Sequence, residues 1–112
     1  MYQLRIYKVN LEKREAFHDR FKNHAMRIMK KYAFSIVAMW ETVTESDMEF
    51  IYILDWPNVE TMEHQWKAFL ADQEWIDIKK KMDLDIGEPV IQATGRVLTP
   101  IEYSPLSTIQ VP

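Results

Sequence analysis

The chain has 112 residues and a formal net charge of -3, with acidic and basic residues interspersed, so no basic stripe marks a nucleic-acid ligand. It has no cysteine, which excludes disulfides, thiolate metal sites and a Cys nucleophile and fits a reducing, cytoplasmic setting. Four Trp, five Tyr, five Phe and seven Met against two Gly favour packed regular structure, and the length suits one domain over residues 1–112 with one core.

Charges interrupt every apolar run well short of the ~18 residues of a membrane span, so no membrane partner is expected. The opening YQLRIY is neither an apolar signal run nor an Arg/Ser-rich transit peptide.

Tyr2 to Val9 alternates as a first strand, with Tyr2, Leu4 and Ile6 on one side and the more polar Gln3, Arg5 and Tyr7 on the other. Asn10 suits an N-cap. Phe17, Phe21, Ala25, Ile28 and Tyr32 then mark the apolar stripe of a long helix from Leu11 to Tyr32. His24 and His18 flank that stripe about 120° apart at 100° per residue, too far round to share a metal with ease.

Phe34 to Trp56 reads as a β-hairpin. On its first run Phe34, Ile36, Ala38 and Trp40 alternate with Ser35, Val37, Met39 and Glu41. On the return run Phe50, Tyr52, Leu54 and Trp56 alternate with Glu49, Ile51, Ile53 and Asp55. A sheet with one wet face shows clean apolar/polar alternation, whereas both faces here are largely apolar and both call for cover. Helices of the same chain can cover one. A second subunit is the economical cover for the other, so a homodimer is expected.

Pro57 and Asn58 break the strand, and Val59, Met62, Trp66, Phe69 and Leu70 are spaced for a second helix. Asp72 N-caps a third helical segment, Gln73 to about Met82, with Trp75, Ile78 and Met82 inward. After Gly87 and Pro89, Val90 to Thr99 forms the last strand, placing Ile91, Ala93 and Val97 opposite Gln92, Thr94 and Arg96. Residues 100–112, with three prolines, make an extended tail.

Strand, helix, strand, strand, helix, strand is the ferredoxin-like βαββαβ order, an α+β fold. Right-handed crossovers put the helices on one face of a four-stranded antiparallel sheet with the first and third strands central. If the helices take Leu4, Ile6, Ile91, Ala93 and Val97, the open face offers Arg5, Tyr7, Gln92, Thr94 and Arg96; the other choice reverses this. Two such sheets face to face would close a dimeric barrel.

Four stretches carry a resemblance along nearly the whole chain: YQLRIY at Tyr2 to Tyr7, IVAMWE at Ile36 to Glu41, ADQEWIDIKKKM at Ala71 to Met82, and RVLTPIEYSP at Arg96 to Pro105. In this order and spacing they resemble the NIPSNAP family. That family is similar to the dimeric α/β-barrel superfamily, whose members include cofactor-free monooxygenases and haem-degrading enzymes. The resemblance therefore implies the same barrel dimer, and His24 looks like the His that members carry in mid first helix. Two departures touch geometry: Leu11 and Glu12 stand where members usually have a Pro-Gly turn, and Ala33 and Ala38 where they often have Gly.

For chemistry, Arg5 and Tyr7 project together from a central strand, and with Arg96 nearby an Arg can hold a carboxylate or an enolate oxygen. The competing role for Arg5 is an ion pair with Asp55 or Glu49 on the adjacent strand. His24 suits proton transfer at neutral pH or haem ligation, against the plainer role of a helix histidine bonded to a neighbour. Trp40, Tyr52, Trp56, Trp66 and Trp75 suit either a pocket for a flat ligand or core packing.

Glu60 and His64, four residues apart, read as a solvated pair and not half a metal site. No HExxH, P-loop, GxGxxG or GxSxG is present, and no metal or cofactor is called for. The expected function is binding of a small aromatic or carbonyl-bearing metabolite between sheet and helices, with cofactor-free oxidation or isomerisation as its chemistry. In that scheme Arg5 and Tyr7 polarise an oxygen, His24 moves a proton, and Trp40, Tyr52 and Arg96 help to bind. The alternative is a non-catalytic protein-interaction module acting through its surface or tail.

Overall fold

Unbroken alternation makes β1, Tyr2–Asn10, and Asn10 ends it by capping the next element, its Oδ1 accepting the Glu12 N–H at 3.0 Å. This computed structural model describes residues 1–106, so the tail expected over residues 100–112 lies partly outside the described residues. A 3-10 turn, Leu11–Lys13, runs into α1 (Arg14–Arg20), a π-helical segment (Phe21–Ala25) and α2 (Met26–Lys31). The long helix expected here is thus one continuous rod of changing pitch. It stops at Ala33, whose φ of 62° turns the chain so that the Ala33 and Phe34 N–H groups reach the Lys30 and Met29 carbonyls.

The hairpin is β2, Ser35–Val43, and β3, Asp47–Asp55. The helix α3, Val59–Leu70, starts with Asn58 Oδ1 accepting the Thr61 N–H at 2.7 Å. Asp72 caps α4, Gln73–Ile86, through the Trp75 N–H, also as expected. This helix runs past the expected end near Met82 because apolar spacing marks only its packed part. Nothing breaks it until Gly87, at φ 85°, and Leu84 on the extra turn is 79% exposed. The last strand is β4, Val90–Leu98. Among the described residues no helix is long and apolar enough to cross a membrane.

The sheet is antiparallel in the order β2-β3-β1-β4, so β1 and β3 are central. Phe50, Tyr52, Leu54 and Trp56 of β3 and its extension are buried against Phe17, Phe21 and Phe69 of the helices. Direct partners on antiparallel strands share a face, so this bulky set decides which way β1 turns. Arg5 lies opposite Tyr52 and Tyr7 opposite Phe50, which puts Gln3, Arg5 and Tyr7 inward. Leu4 and Ile6 lie opposite Ile53 and Ile51 on the open face. Of the two arrangements, the polar side of β1 is the one covered.

Two irregularities correct the expected face sets. A bulge between Ile36 and Ala38 leaves Ile36 beside buried Leu54 but turns Ala38 and Trp40 outward, opposite Ile53 and Ile51. On β4, Ala93, Gly95 and Val97 oppose Tyr7, Arg5 and Gln3 and so face inward, apart from Leu4 and Ile6. Thr94 and Arg96 face outward, and a register shift beside Val9 takes Ile91 out of the alternation.

Candidate functional site

The covered face of β1 is not packed shut. Between it, β4 and the helices lies a cavity of about 540 Å³. Gln3, Arg5 and Tyr7, alternate residues of one strand, form its floor. Phe17, Phe21 and Ala25 wall it from the first helical rod, Trp66 and Phe69 from α3, and Trp75 and Lys79 from α4. The π-helical segment carries Phe21 and Ala25 into this wall, a common place for such a segment.

Gln3 is buried, and its Oε1 accepts from both the Trp56 and Trp66 indole N–H groups, at 3.0 and 2.7 Å. Two N–H donors require the oxygen there, which leaves the Gln3 amide N–H₂ as donor. Arg5 lies with its guanidinium carbon 4.6 Å from the Trp66 ring centroid and 5.3 Å from that of Tyr7. Gly95 makes room for it: a Cβ there would come within 2.8 Å of Arg5 Nη1. Burial opposes the charge on Arg5, but the Tyr7 and Tyr52 oxygens outweigh it and hold the guanidinium above its ordinary pKa.

The Tyr7 and Tyr52 hydroxyls share one hydrogen bond of 2.6 Å. Burial first, and Tyr7 second, push the Tyr52 hydroxyl well above its ordinary pKa against the opposing pull of Arg5, so Tyr52 stays protonated. One bond between two hydroxyls leaves one proton over. Tyr7 faces the cavity and Tyr52 lies behind it, so the arrangement suits Tyr52 as donor to Tyr7, which leaves the Tyr7 O–H to donate into the cavity.

At the far end, buried Arg20 makes two 2.8 Å bonds to Glu88, which also accepts the Val90 N–H at 2.9 Å. Burial alone would raise the Glu88 pKa, but these bonds outweigh it and hold the carboxyl below its usual range.

A second groove, about 410 Å³, borders β2 and is lined by Met26, Met39, Trp40 and Phe50. On its rim Glu41 accepts from Arg14 at 2.7 and 2.6 Å and contacts His18 Nε2 at 2.7 Å. The Arg14 bonds first, then His18, bring the Glu41 carboxyl down to about 2.

Of the residues expected to form one site, the structure brings Arg5 and Tyr7 together, with Tyr52 directly behind Tyr7. The others lie elsewhere. His24 lines neither cavity, and its Nδ1 lies 3.4 Å from Arg27 Nη2. Arg96 is on the open face opposite Leu4, and Trp40 borders the second groove, 52% exposed. Arg5 pairs with neither Asp55 nor Glu49, which oppose Tyr2 and Lys8.

Alternation places Gln3 on the same side as Arg5 and Tyr7, but nothing in that pattern marks its amide as a donor. Gly95, Lys79 and the Arg20–Glu88 pair carried no motif. Among the described residues no group of three or more His, Cys, Asp or Glu is placed to hold a metal.

A comparison with curated proteins finds no match. Solved structures give the fold relatives. A NIPSNAP family protein of unknown function from Agrobacterium tumefaciens aligns with a TM-score of 0.78 and 17% identity over 94% of this chain and 91% of its own. An uncharacterised NIPSNAP-like domain protein from Burkholderia xenovorans aligns at 0.77 and 17% over 93% and 87%. A monooxygenase from Streptomyces coelicolor, solved in complex with nanaomycin D, aligns at 0.52 and 7% over 89% and 88%. The NIPSNAP family profile matches residues 2–105, nearly the full length: the chain belongs to the NIPSNAP family.

Proposed function

We propose that this NIPSNAP domain binds a small metabolite with an aromatic or otherwise flat apolar body and a carbonyl-type oxygen, in the cavity between sheet and helices. The observation that carries this is the floor of β1, where Gln3, Arg5 and Tyr7 present polar groups to a space otherwise walled by aromatic side chains. Ligand sites commonly combine an apolar lining with a few convergent polar groups, and a volume of about 540 Å³ suits a small molecule. In this proposal the guanidinium and the Tyr7 hydroxyl polarise the oxygen while the rings hold the body. His24 has no part in it, because it lines neither cavity.

The test is a thermal-shift screen with quinones, aromatic ketones, aromatic acids and nanaomycin D, on wild type and on Ala93→Trp. Ala93 lies on the exposed edge strand with its position facing the cavity, so the larger side chain fills the space at little cost to the fold. A ligand at 100 times its Kd adds about 2.7 kcal/mol, worth several degrees in a domain of this size. The expected result is a probe that raises the midpoint of wild type and not of Ala93→Trp. Silence across the set overturns the proposal. Turnover, as isomerisation or as oxidation by dioxygen, is then tested on whichever probe binds.

We also propose that the open face closes a homodimer. Support comes from Leu4, Ile6, Ile51 and Ile53, contiguous on two central strands and half-buried, and from the exposed Trp40 beside them. Sedimentation equilibrium at micromolar concentration checks it, and a monomer would exclude it. The cysteine-free composition supports a cytoplasmic setting.

A further inference from the structure

Arg5 is the unusual member of the cavity. Among the described residues its buried Nε has no hydrogen-bond partner, and no ion pair includes it. Buried N–H groups are nearly always satisfied, and an exception needs an explanation. The stacking on Trp66 and Tyr7 does not supply one, because a ring face steadies the cation without accepting its N–H bonds in the guanidinium plane.

Charge points the same way. The cavity lining holds three cations, Arg5, Arg20 and Lys79, against one carboxylate, Glu88, and Glu88 is engaged with Arg20 on both oxygens. A protein of formal charge -3 therefore has a positively charged interior space. The donors on the floor are the Arg5 fork, which lies beside the Tyr7 and Tyr52 oxygens, the Tyr7 hydroxyl and the Gln3 amide two residues from Arg5.

We infer that the ligand of this cavity carries a carboxylate, paired to the Arg5 guanidinium beside the Gln3 amide, with its aromatic or apolar body against Phe17, Phe21 and Trp75. This rests on the cavity being the ligand site. A planar carboxylate matches the guanidinium fork bidentately. Lys79 is exposed on α4 and steers the anion inward, while Gly95 keeps Arg5 in place: a methyl group there would displace Nη1.

The experiment compares matched acids and amides by calorimetry at pH 7.5: indole-3-acetate with indole-3-acetamide, and 2-naphthoate with 2-naphthamide. Wild type, Arg5→Gln and Gly95→Ala are measured side by side. A charge-assisted pair predicts roughly ten- to hundredfold tighter binding of the acid by wild type. That preference should disappear in Arg5→Gln, where the acid loses more affinity than the amide, and shrink in Gly95→Ala. If Arg5→Gln does not fold, the wild-type preference and its response to Gly95→Ala decide.

Amides binding as well as acids overturn the carboxylate and leave the cavity proposal standing. A preference for acids that survives both variants overturns the role of Arg5. If neither acids nor amides bind, the inference fails here, and silence to the neutral probes as well removes the cavity proposal with it.

Discussion

The two sides of β1 invert the usual rule. Its covered side is the polar one, Gln3, Arg5 and Tyr7, and its uncovered side the apolar one, Leu4 and Ile6. A strand that only closed a core would be turned the other way. The inward polar groups face a cavity and the outward apolar ones lie on the uncovered face, so under the two proposals above one strand serves two different recognition tasks.

The largest expected effect comes from breaking the outer side. Ile6→Glu puts an unpaired carboxylate into the proposed dimer face, and dissociation should strengthen about a thousandfold, roughly 4 kcal/mol. Sedimentation should show a folded monomer, and an unchanged dimer would disprove that face. Next is the inner side: Gln3→Leu strands the Trp56 and Trp66 indole N–H groups, at about 2–4 kcal/mol in urea unfolding. A loss under about 1 kcal/mol would mean that the two bonds matter little.

Two smaller changes act on the helices above the inner side and sharpen the contrast, because neither should move the dimer constant. Asp72 accepts from Tyr32 at 2.6 Å, from the Trp75 N–H and from Lys31, which lower its carboxyl to about 2 from an ordinary 3.8. A depressed folded pKa gives stability that is complete above the unfolded value and lost as pH falls through the folded one. Wild type should therefore weaken between about pH 4 and 2, and Asp72→Asn should flatten that limb by about 1 kcal/mol or less, read from melts against pH. Ala33→Gly relieves a left-handed backbone at the end of α2 and should stabilise by about 0.5 kcal/mol after the entropy cost of Gly. A lower midpoint in that variant would argue against the strain.

The elements were legible because each carried its own local marker: alternation in β1 and β3, side-chain caps at Asn10 and Asp72, and four-residue spacing at Phe17, Phe21 and Ala25. What stayed hidden depends on contacts distant in sequence. Which side of β1 turns inward follows from its pairing with Phe50 and Tyr52, over forty residues away. The bulge at Val37 has no Gly to announce it, so Ala38 and Trp40 could not be separated from Ile36 by alternation alone. The π-helical segment is equally silent, since its apolar residues keep a spacing that an ordinary helix also shows. In the candidate site, residue type found Arg5 and Tyr7. It also drew in Arg96 and His24, whose chemistry is similar but which lie outside the cavity lining.

The four tryptophans are divided between the two sides of the sheet. Trp66 lies against the Arg5 cation, Trp75 lines the same cavity and Trp56 shares the Gln3 oxygen, while Trp40 alone borders the open face. Indole emission responds to nearby charge and to solvent, so the chain carries its own optical label on each side. Removing Trp40 as Trp40→Phe leaves a protein whose fluorescence reports the interior alone. The emission lost with it, followed during dilution, reports the outer face.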